Sequence, residues 1–331
     1  MGKMVKWAPP FRGEDVEMPD YELIRLERDG AIGRIVLNSP EKRNPLGYKR
    51  LLEIAMAAKQ FELEDEIKVI IIKGDGPSFC SGYDISPVEP APNLPENGYI
   101  NLKRDMLWES YNNEHLRVFY TLWDLQKPVI AQIQGYCLAG GSELAAFCDI
   151  RVVAEDAQIG WPVGRHWSPG NIQYMPWMVG MTKAKFYMLT NQPMDGTEAF
   201  RSGWASAVVP AEDLEAETEK IARTVSLTDT QLAMLTKRSL NRQHEIMGFR
   251  TGIANGTDLL ALAELRSSLT GASYYSSESE DEFASRAARD GLKAALTWRD
   301  QQYDMEYRTS DRAREGRDDT ADSEAEATAK S

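Results

Sequence analysis

The chain has 331 residues, 42% of them hydrophobic, so it can bury a substantial core as one large domain or two small ones. Its formal net charge of −13 argues against general nucleic-acid binding, although local basic patches could still contact a phosphorylated ligand. No apolar run reaches the roughly 20 residues of a membrane span, and the opening MGKMVKWAPPFRGED has no signal-peptide core. We therefore expect a cytoplasmic protein without a membrane partner.

Three cysteines, Cys80, Cys137 and Cys148, cannot all pair and show no CxxC spacing. A disulfide framework or a zinc site is therefore not expected, and we predict three small buried residues. The sequence also has no nucleotide-binding glycine fingerprint. We predict neither a metal nor a permanently bound cofactor.

The first part of the chain predicts alternating strands and helices. Met1–Asp20 has mixed composition and is expected to form an arm. Tyr21–Leu26 and Ile32–Leu37 are predicted strands of a hairpin. Tyr48–Glu64 has helical periodicity and leads to a strand at Ile67–Lys73, which predicts stacked α/β units.

The middle of the chain continues this alternation after a proline-rich loop. We predict a loop at Ser86–Tyr99, a helix at Tyr99–Leu125, and a strand at Val129–Ile133. Helix-spaced aromatic residues in the Tyr99–Leu125 segment are expected in the core. Farther on we expect strands at Ile150–Ala154, near Ile159 and at Ser206–Pro210, an irregular stretch at Gly160–Tyr174, and helices at Lys183–Leu189 and Gly196–Gly203.

The C-terminal part is predicted to be mainly helical. Helices are expected throughout Ala211–Leu269 and again at Glu282–Trp298, separated by an acidic break at Ser276–Glu282. Beyond Tyr307 the chain lacks apolar anchors and should be disordered. We thus divide the chain into an arm (1–20), a core (21–210), a helical region (211–307) and a tail (308–331).

A glycine turn at Gly140 and Gly141 runs directly into an apolar helical pattern that carries Glu143. Glycine lets a ligand approach the main chain closely, and the first amides of a helix lack intrahelical acceptors. The apolar neighbours of Glu143 could raise its pKa toward neutrality, as general acid–base catalysis requires. The alternative is a first-turn carboxylate favoured only by the helix dipole.

A second small-residue turn, Ser78–Ile85, follows the strand predicted at Ile67–Lys73. Here Gly82 precedes Tyr83. N–H groups from this turn and from the glycine turn could converge on one oxygen, which is the geometry of an oxyanion hole.

Four stretches together resemble the enoyl-CoA hydratase/isomerase family, also called the crotonase superfamily. They are SPEKRNPL (Ser39–Leu46), SFCSGYDI (Ser78–Ile85), the run Gln126–Gly160, and MDGTEAFRSGWASAVVP (Met194–Pro210), in the family's order and spacing. The resemblance covers about Tyr21 to Arg299. It implies a crotonase-like spiral of ββα units with a helical C-terminal trimerisation region, and hence a homotrimer or a dimer of trimers.

The resemblance also implies an acyl-CoA site. The family holds the thioester oxygen between two main-chain amides, whose positions here are Tyr83 and Gly140, with Glu143 as the acid–base residue. CoA would be the carrier of the substrate, and a phosphate group of CoA would bind Lys237. The other residues expected to bind the substrate are Lys42, Arg43, Ser81, Gly82, Asp84, Ile85 and Gly141. Lys42 and Arg43 could equally be a solvated charge pair in a turn.

One expected carboxylate is missing, because typical hydratases carry a second acid at the position occupied by Val163. His166 or Asn171 could substitute for it, although a structural or surface histidine and a turn asparagine are the alternatives. Trp161, Trp167 and Tyr83 are expected as pocket walls for a bulky or cyclic acyl group, with core packing as the alternative.

These features lead to three functional hypotheses. The first is a lyase that adds or removes water at a 2-enoyl-CoA, with Glu143 moving the proton. The second is decarboxylation or C–C bond hydrolysis of an acyl-CoA, a reaction that needs only one acid–base residue. This hypothesis is supported by Trp161-Pro162-Val163, which resembles the Thr-Pro-Val of methylmalonyl-CoA decarboxylase. The third is a non-catalytic acyl-CoA-binding subunit.

Overall fold

A computed structural model of the chain describes residues 4–6, 15–17, 20–84, 116–165, 170–270, 277–301 and 303, and within these the side chains outside 4–6, 15–17, 263–281 and 284. The predictions for the Ser86–Tyr99 loop, for the start of the following helix and for the tail lie outside the described residues.

The described residues form eleven strands in three sheets. The arm contributes an antiparallel pair, while the other two sheets build the α/β core. In chain order the strands are β1 (Met4–Lys6), β2 (Asp15–Glu17), β3 (Ile24–Asp29), β4 (Ile32–Leu37), β5 (Val69–Gly74), β6 (Val129–Ile133), β7 (Tyr136–Leu138), β8 (Ile150–Ala154), β9 (Gln158–Gly160), β10 (Met194–Asp195) and β11 (Ala207–Val209).

The main sheet has the order β11-β8-β6-β5-β4-β3, in which β3 pairs antiparallel with β4 and the remaining neighbours are parallel. Its central strands β5 and β6, VIIIKG and VIAQI, are almost entirely buried. Such continuous apolar runs are typical of parallel strands covered on both faces. The strands of the smaller sheet, β10-β9-β7, all follow β6 in the chain, and the glycine turn comes shortly after β7.

Helices cover the sheets and, as predicted, form most of the described residues after residue 210. Among them, α6 packs across β4, β5, β6 and β8 of the main sheet. The helices are α1 (Tyr48–Leu63), α2 (116–124), α3 (Gly140–Ala146), α4 (Met175–Thr190), α5 (Gly196–Arg201), α6 (Leu214–Ser226), α7 (Thr230–Ile246), α8 (Phe249–Thr270), α9 (Ser277–Asp290) and α10 (Leu292–Gln301), with 3-10 turns at Pro40–Lys42, Pro162–Arg165 and Ala211–Asp213.

Two predictions about the helices are wrong in their bounds, and the strand predicted at Tyr21–Leu26 lies three residues later, at Ile24–Asp29. The helix expected at Lys183–Leu189 is the second half of α4, which begins at Met175 and kinks at Gly180, where φ is 76°. The acidic break expected at Ser276–Glu282 lies largely within α9. The chain breaks instead at Gly291, whose φ of 88° favours glycine and ends a helix there.

The core joins the sheets to the helical region through aromatic contacts. Trp123 of α2 stacks on Phe249 of α8 with 4.6 Å between ring centroids, and Phe147 packs against both rings. The predicted core position of the Tyr99–Leu125 aromatic residues is therefore confirmed for Trp123. Across the described ranges, every helix is too short or too polar to span a bilayer.

Candidate active site

The two turns predicted to hold one oxygen lie side by side after β5 and β6. Main-chain hydrogen bonds join them: the N–H of Cys80 donates to the carbonyl of Tyr136 at 2.8 Å, and the N–H of Leu138 donates to Cys80 at 3.1 Å. Because β5 and β6 are neighbouring parallel strands, their carboxyl ends bring these turns to the same edge of the sheet. The fold thus brings the two turns together, whereas the convergence of their N–H groups on one oxygen stays a prediction.

Glycine is required where the turns meet. A Cβ at Gly141 would lie 2.8 Å from the Cβ of Cys80 and 2.9 Å from its carbonyl oxygen. A Cβ at Gly82 would lie 3.0 Å from the Cβ of Ala139. Side chains at these two positions would push the turns apart.

The residue before each predicted oxyanion amide has a positive φ. Gly82, which precedes Tyr83, has a φ of 111°, and Ala139, which precedes Gly140, has a φ of 49°. A positive φ in alanine is strained, and such strain persists where the surroundings impose it. The N–H of Ala139 donates to the carbonyl of Gly160 at 2.8 Å, which helps to hold this geometry. Sequence reasoning missed Ala139, since nothing in its residue type signals a positive φ.

Glu143 lies in the first turn of α3 and is completely buried. Its Oε2 accepts a hydrogen bond from the Tyr83 hydroxyl at 2.5 Å, whereas its Oε1 has no hydrogen-bond partner in the described part of the chain. Burial raises the pKa of Glu143 to about 8, and the Tyr83 hydrogen bond partly opposes this rise. A carboxyl group with this pKa can donate and accept a proton near neutrality.

The predicted CoA-contacting residues before α1 are close to the turn after β5. The N–H of Ser81 donates to the carbonyl of Arg43 at 2.8 Å, and the exposed Arg43 guanidinium lies 4.9 Å from the centroid of the Tyr136 ring. Lys42 and Asp84 are also exposed. These residues therefore share one surface, but their contact with CoA stays a prediction.

Asn44 holds that surface together and was missed as a structural residue. It is completely buried, and its amide donates to the carbonyls of Asp75 and Ser78, each at 2.9 Å. Its Oδ1 accepts the N–H of Ser39 at 2.8 Å. The asparagine in SPEKRNPL thus joins the turn before α1 to the loop after β5.

The segment after β9 contains the position of the missing acid. Trp161 is buried and Val163 is half-buried, within or next to the 3-10 turn Pro162–Arg165. Asn171 is buried, and its main chain packs tightly against Gly256 of α8. The Tyr174 hydroxyl donates to Ser142 Oγ at 2.7 Å, so this segment contacts α3. The proposed roles of Trp161 and Asn171 stay predictions.

Lys237 has a structural position that argues against the predicted phosphate contact. It is 7% exposed, and its ammonium group lies 2.7 Å from Asp149 and donates to the carbonyls of Leu122 and Lys127. All three donor directions of the ammonium group are therefore engaged inside the protein. We accordingly withdraw Lys237 as a CoA ligand.

Several residues that the sequence singled out are not described by the structure, and Cys80 is explained by packing alone. His166, Trp167 and Ile85 lie outside the described residues. Cys80 is buried, and burial raises the pKa of its thiol to about 12, so it is a packing residue at the junction of the turns. The described ranges contain no group of three His, Cys, Asp or Glu residues that could hold a metal ion.

Comparisons with known proteins identify the family to which this fold belongs. Residues 27–263 match the family model for enoyl-CoA hydratase/isomerase. A probable enoyl-CoA hydratase of Mycobacterium bovis is 33% identical over 232 residues, covering 68% of this chain and 83% of that protein. The crotonyl-CoA hydratase of Syntrophomonas wolfei is 35% identical over 228 residues, covering 67% of this chain and 82% of that protein.

A solved structure gives the same result. The crystal structure of an enoyl-CoA hydratase/isomerase from Xanthobacter autotrophicus Py2 matches with a TM-score of 0.71 and 30% identity, covering 86% of this chain and 99% of that chain. The predicted crotonase-like α/β fold is therefore confirmed. The chain belongs to the enoyl-CoA hydratase/isomerase family.

Proposed function

We propose that this protein adds water to, or removes it from, the double bond of a 2-enoyl-CoA. In this proposal the main-chain N–H groups of Tyr83 and Gly140 bind the thioester oxygen, and Glu143 is the acid–base residue. The observation that carries the proposal is Glu143 itself, which is fully buried beside these turns with Oε1 unpaired among the described residues. Fixed N–H donors stabilise the charge of an enolate without reorganising.

Hydration can proceed with this single carboxylate. Ionised Glu143 takes a proton from water as the water oxygen bonds to C3, and the electrons of the double bond move toward the thioester oxygen. Glu143 then returns its proton to C2, which restores the carbonyl and leaves a 3-hydroxyacyl-CoA. Since the base must be ionised, the hydration rate should rise with pH through about 8, the pKa of Glu143.

A second candidate reaction is favoured by Val163, which stands where a second acid is expected. In decarboxylation the bond from C2 to the carboxylate breaks, CO₂ leaves, and the electron pair forms the thioester enolate. Protonated Glu143 then gives its proton to C2. The raised pKa keeps Glu143 protonated at neutral pH, so this reaction should slow as pH rises through about 8. The two candidates thus predict opposite pH dependences.

A panel of thioesters tests these functions. Crotonyl-CoA and cyclohex-1-enecarbonyl-CoA test hydration of a linear and a cyclic acyl group, and the aromatic side chains of Tyr83 and Trp161 lead us to expect faster turnover of the cyclic one. Methylmalonyl-CoA tests decarboxylation. Hydration abolished in Glu143→Gln supports the proposal, whereas tight binding across the panel without any turnover would instead support a non-catalytic acyl-CoA-binding subunit.

We also propose that the helical C-terminal region forms a trimer or a dimer of trimers. Large apolar side chains are exposed along α7 and α8, as expected of a face that another subunit covers. They are Leu232, Leu235, Leu240, Ile246, Leu259 and Leu262. Light scattering of the purified protein should give a mass three or six times that of the chain, and a monomer would refute the assembly.

A further inference from the structure

The carboxyl group of Glu143 has two unequal oxygens. Oε2 accepts a hydrogen bond from the Tyr83 hydroxyl at 2.5 Å, while Oε1 is buried without a partner among the residues described. An isolated buried carboxyl group could rotate and exchange its oxygens. The Tyr83 hydroxyl therefore determines which oxygen is held and which stays available for a reacting proton.

The glycine turn leaves room for the Tyr83 ring. A Cβ added to Gly140 would lie 2.8 Å from Cζ and 2.9 Å from Cε1 of this ring, closer than two carbon atoms can approach. The absence of a side chain at Gly140 thus provides the space in which the phenol end of Tyr83 lies. The ring extends from its own turn, over the second proposed oxyanion residue, to the first turn of α3.

We propose that the Tyr83 hydroxyl is a positioning residue that holds Glu143 with Oε1 directed at C2 and C3 of the acyl group. Tyr83 would then act twice, with its N–H on the thioester oxygen and its O–H on the acid–base residue. It keeps its own proton throughout, donating to Glu143 in both protonation states. This inference rests on the proposed function in assigning proton transfer to Glu143.

This arrangement offers a partial substitute for the acid missing at Val163. In a site with two acids, hydrogen bonding can hold each carboxyl group in place for proton transfer. The side chain of valine cannot form a hydrogen bond and so cannot hold Glu143. A neutral phenol at hydrogen-bond distance fixes the remaining carboxyl group without adding a second negative charge. It also favours the ionised form of Glu143, because its hydrogen bond lowers a pKa that burial raises.

Two tyrosines from different elements donate hydrogen bonds to the first turn of α3 and offer a matched comparison. Tyr83 donates to Glu143 directly, whereas the buried Tyr174 donates to the neighbouring Ser142 at 2.7 Å. Burial, together with the nearby charge of Glu143, raises the pKa of Tyr174, so the phenol of Tyr174 stays neutral. Tyr83→Phe and Tyr174→Phe each remove one hydroxyl beside α3, but only the first removes the hydrogen bond to Glu143.

The test is an infrared difference titration of the full-length protein, in which the carbonyl band of protonated Glu143 is assigned by its loss in Glu143→Gln. The wild-type midpoint should lie near pH 8. Tyr83→Phe should move it at least half a unit higher, while Tyr174→Phe should leave it in place. Tyr83→Leu removes the same donor and should shift the midpoint in the same direction.

Activity gives the second readout. With crotonyl-CoA, Tyr83→Phe should lower kcat about tenfold and change KM less, since the main-chain N–H remains, and the alkaline rise of the rate should move with the infrared midpoint. An unchanged midpoint in both Tyr83 variants would overturn the positioning role. A wild-type protein that turns over no thioester, but whose midpoint shifts in Tyr83→Phe, would refute the proposed function and leave the positioning of Glu143 intact.

Discussion

Asp300 of α10 accepts a hydrogen bond at 3.1 Å from the guanidinium of Arg165, whose side chain is completely buried. Asp300 also pairs with Arg299 at 2.7 Å, so one carboxylate lies between two arginines. The Tyr303 hydroxyl donates to the Arg165 carbonyl at 3.0 Å. Through these contacts α10 and Tyr303, which follows it, hold the 3-10 turn Pro162–Arg165, which contains Val163.

Replacing Asp300 should therefore destabilise the protein. Asp300→Ala removes the carboxylate that Arg165 and Arg299 share, and breaking a buried ion pair costs about 3–5 kcal/mol of unfolding free energy. Chemical denaturation measures this loss. Asp290→Ala, which breaks the exposed pair with Arg289, is the control and should change little. Equal effects of the two substitutions would contradict the role of Asp300.

Lys237 should be essential for stability and dispensable for CoA binding. Lys237→Met leaves the half-buried Asp149 without its ammonium partner, although burial already raises the pKa of this carboxyl group. The expected loss is about 3–5 kcal/mol in denaturation, and adding Asp149→Asn should recover part of it. The exposed Lys220→Met is the control. A loss of CoA affinity by calorimetry without a loss of stability would restore the phosphate contact.

Gly141→Ala should separate the two turns. The added Cβ would meet the Cβ and carbonyl oxygen of Cys80, and overpacking of this kind costs about 1–3 kcal/mol. Hydration of crotonyl-CoA should fall with it, because the oxyanion amides would shift. Gly30→Ala, at a φ of 56° with no atom within 4 Å, is the control for backbone strain alone and should keep full activity. Full activity in Gly141→Ala would show that the turns need not touch.

Glu143 should make stability pH-dependent in a defined direction. Its folded pKa of about 8 lies above its ordinary value of 4.5, so between these values the folded state holds a proton that the unfolded state has lost. Stability should therefore fall as pH rises from 4.5 to 8, by about 1.4 kcal/mol for each unit of pKa difference.

The Glu143→Gln variant lacks this titration, so comparison with the wild type shows whether Glu143 makes stability rise or fall with pH. The stability advantage of the variant over the wild type should grow across the window from pH 4.5 to 8 and then stay constant. Denaturation at several pH values measures it, with the exposed Glu212→Gln as a control that should run parallel to the wild type. A constant difference between Glu143→Gln and the wild type would mean that Glu143 ionises normally.

The sequence predicted the α/β core because its strands are uniform apolar runs, as in VIIIK of β5. It pointed to a candidate site because Gly140, Gly141 and Glu143 lie within four consecutive residues and match a motif of the family. Prediction from the sequence failed where the local residue types favour a different structure from the one the folded chain adopts. Acidic residues suggested a break at Ser276–Glu282, but a helix tolerates charged side chains on an exposed face. Gly291, with its positive φ, was the true boundary.

Long-range polar contacts were beyond the sequence. Tyr83 lies 60 residues from Glu143, and Arg165 lies 135 residues from Asp300, so no spacing rule joins either pair. The ion pair of Lys237 was missed for the same reason, since its partner Asp149 belongs to another element. Each pair depends on how distant elements pack, which residue type alone does not encode.

Exchange of the C2 protons of butyryl-CoA in D₂O tests the central claim most directly, because it requires the enolate and Glu143 but neither water addition nor loss of CO₂. Mass spectrometry of the recovered thioester measures the rate. The wild type should incorporate deuterium at C2, and Glu143→Gln should do so at least about 100-fold more slowly, as expected for loss of a general base. Equal exchange by the two proteins would contradict the assignment of Glu143 as the residue that moves the proton.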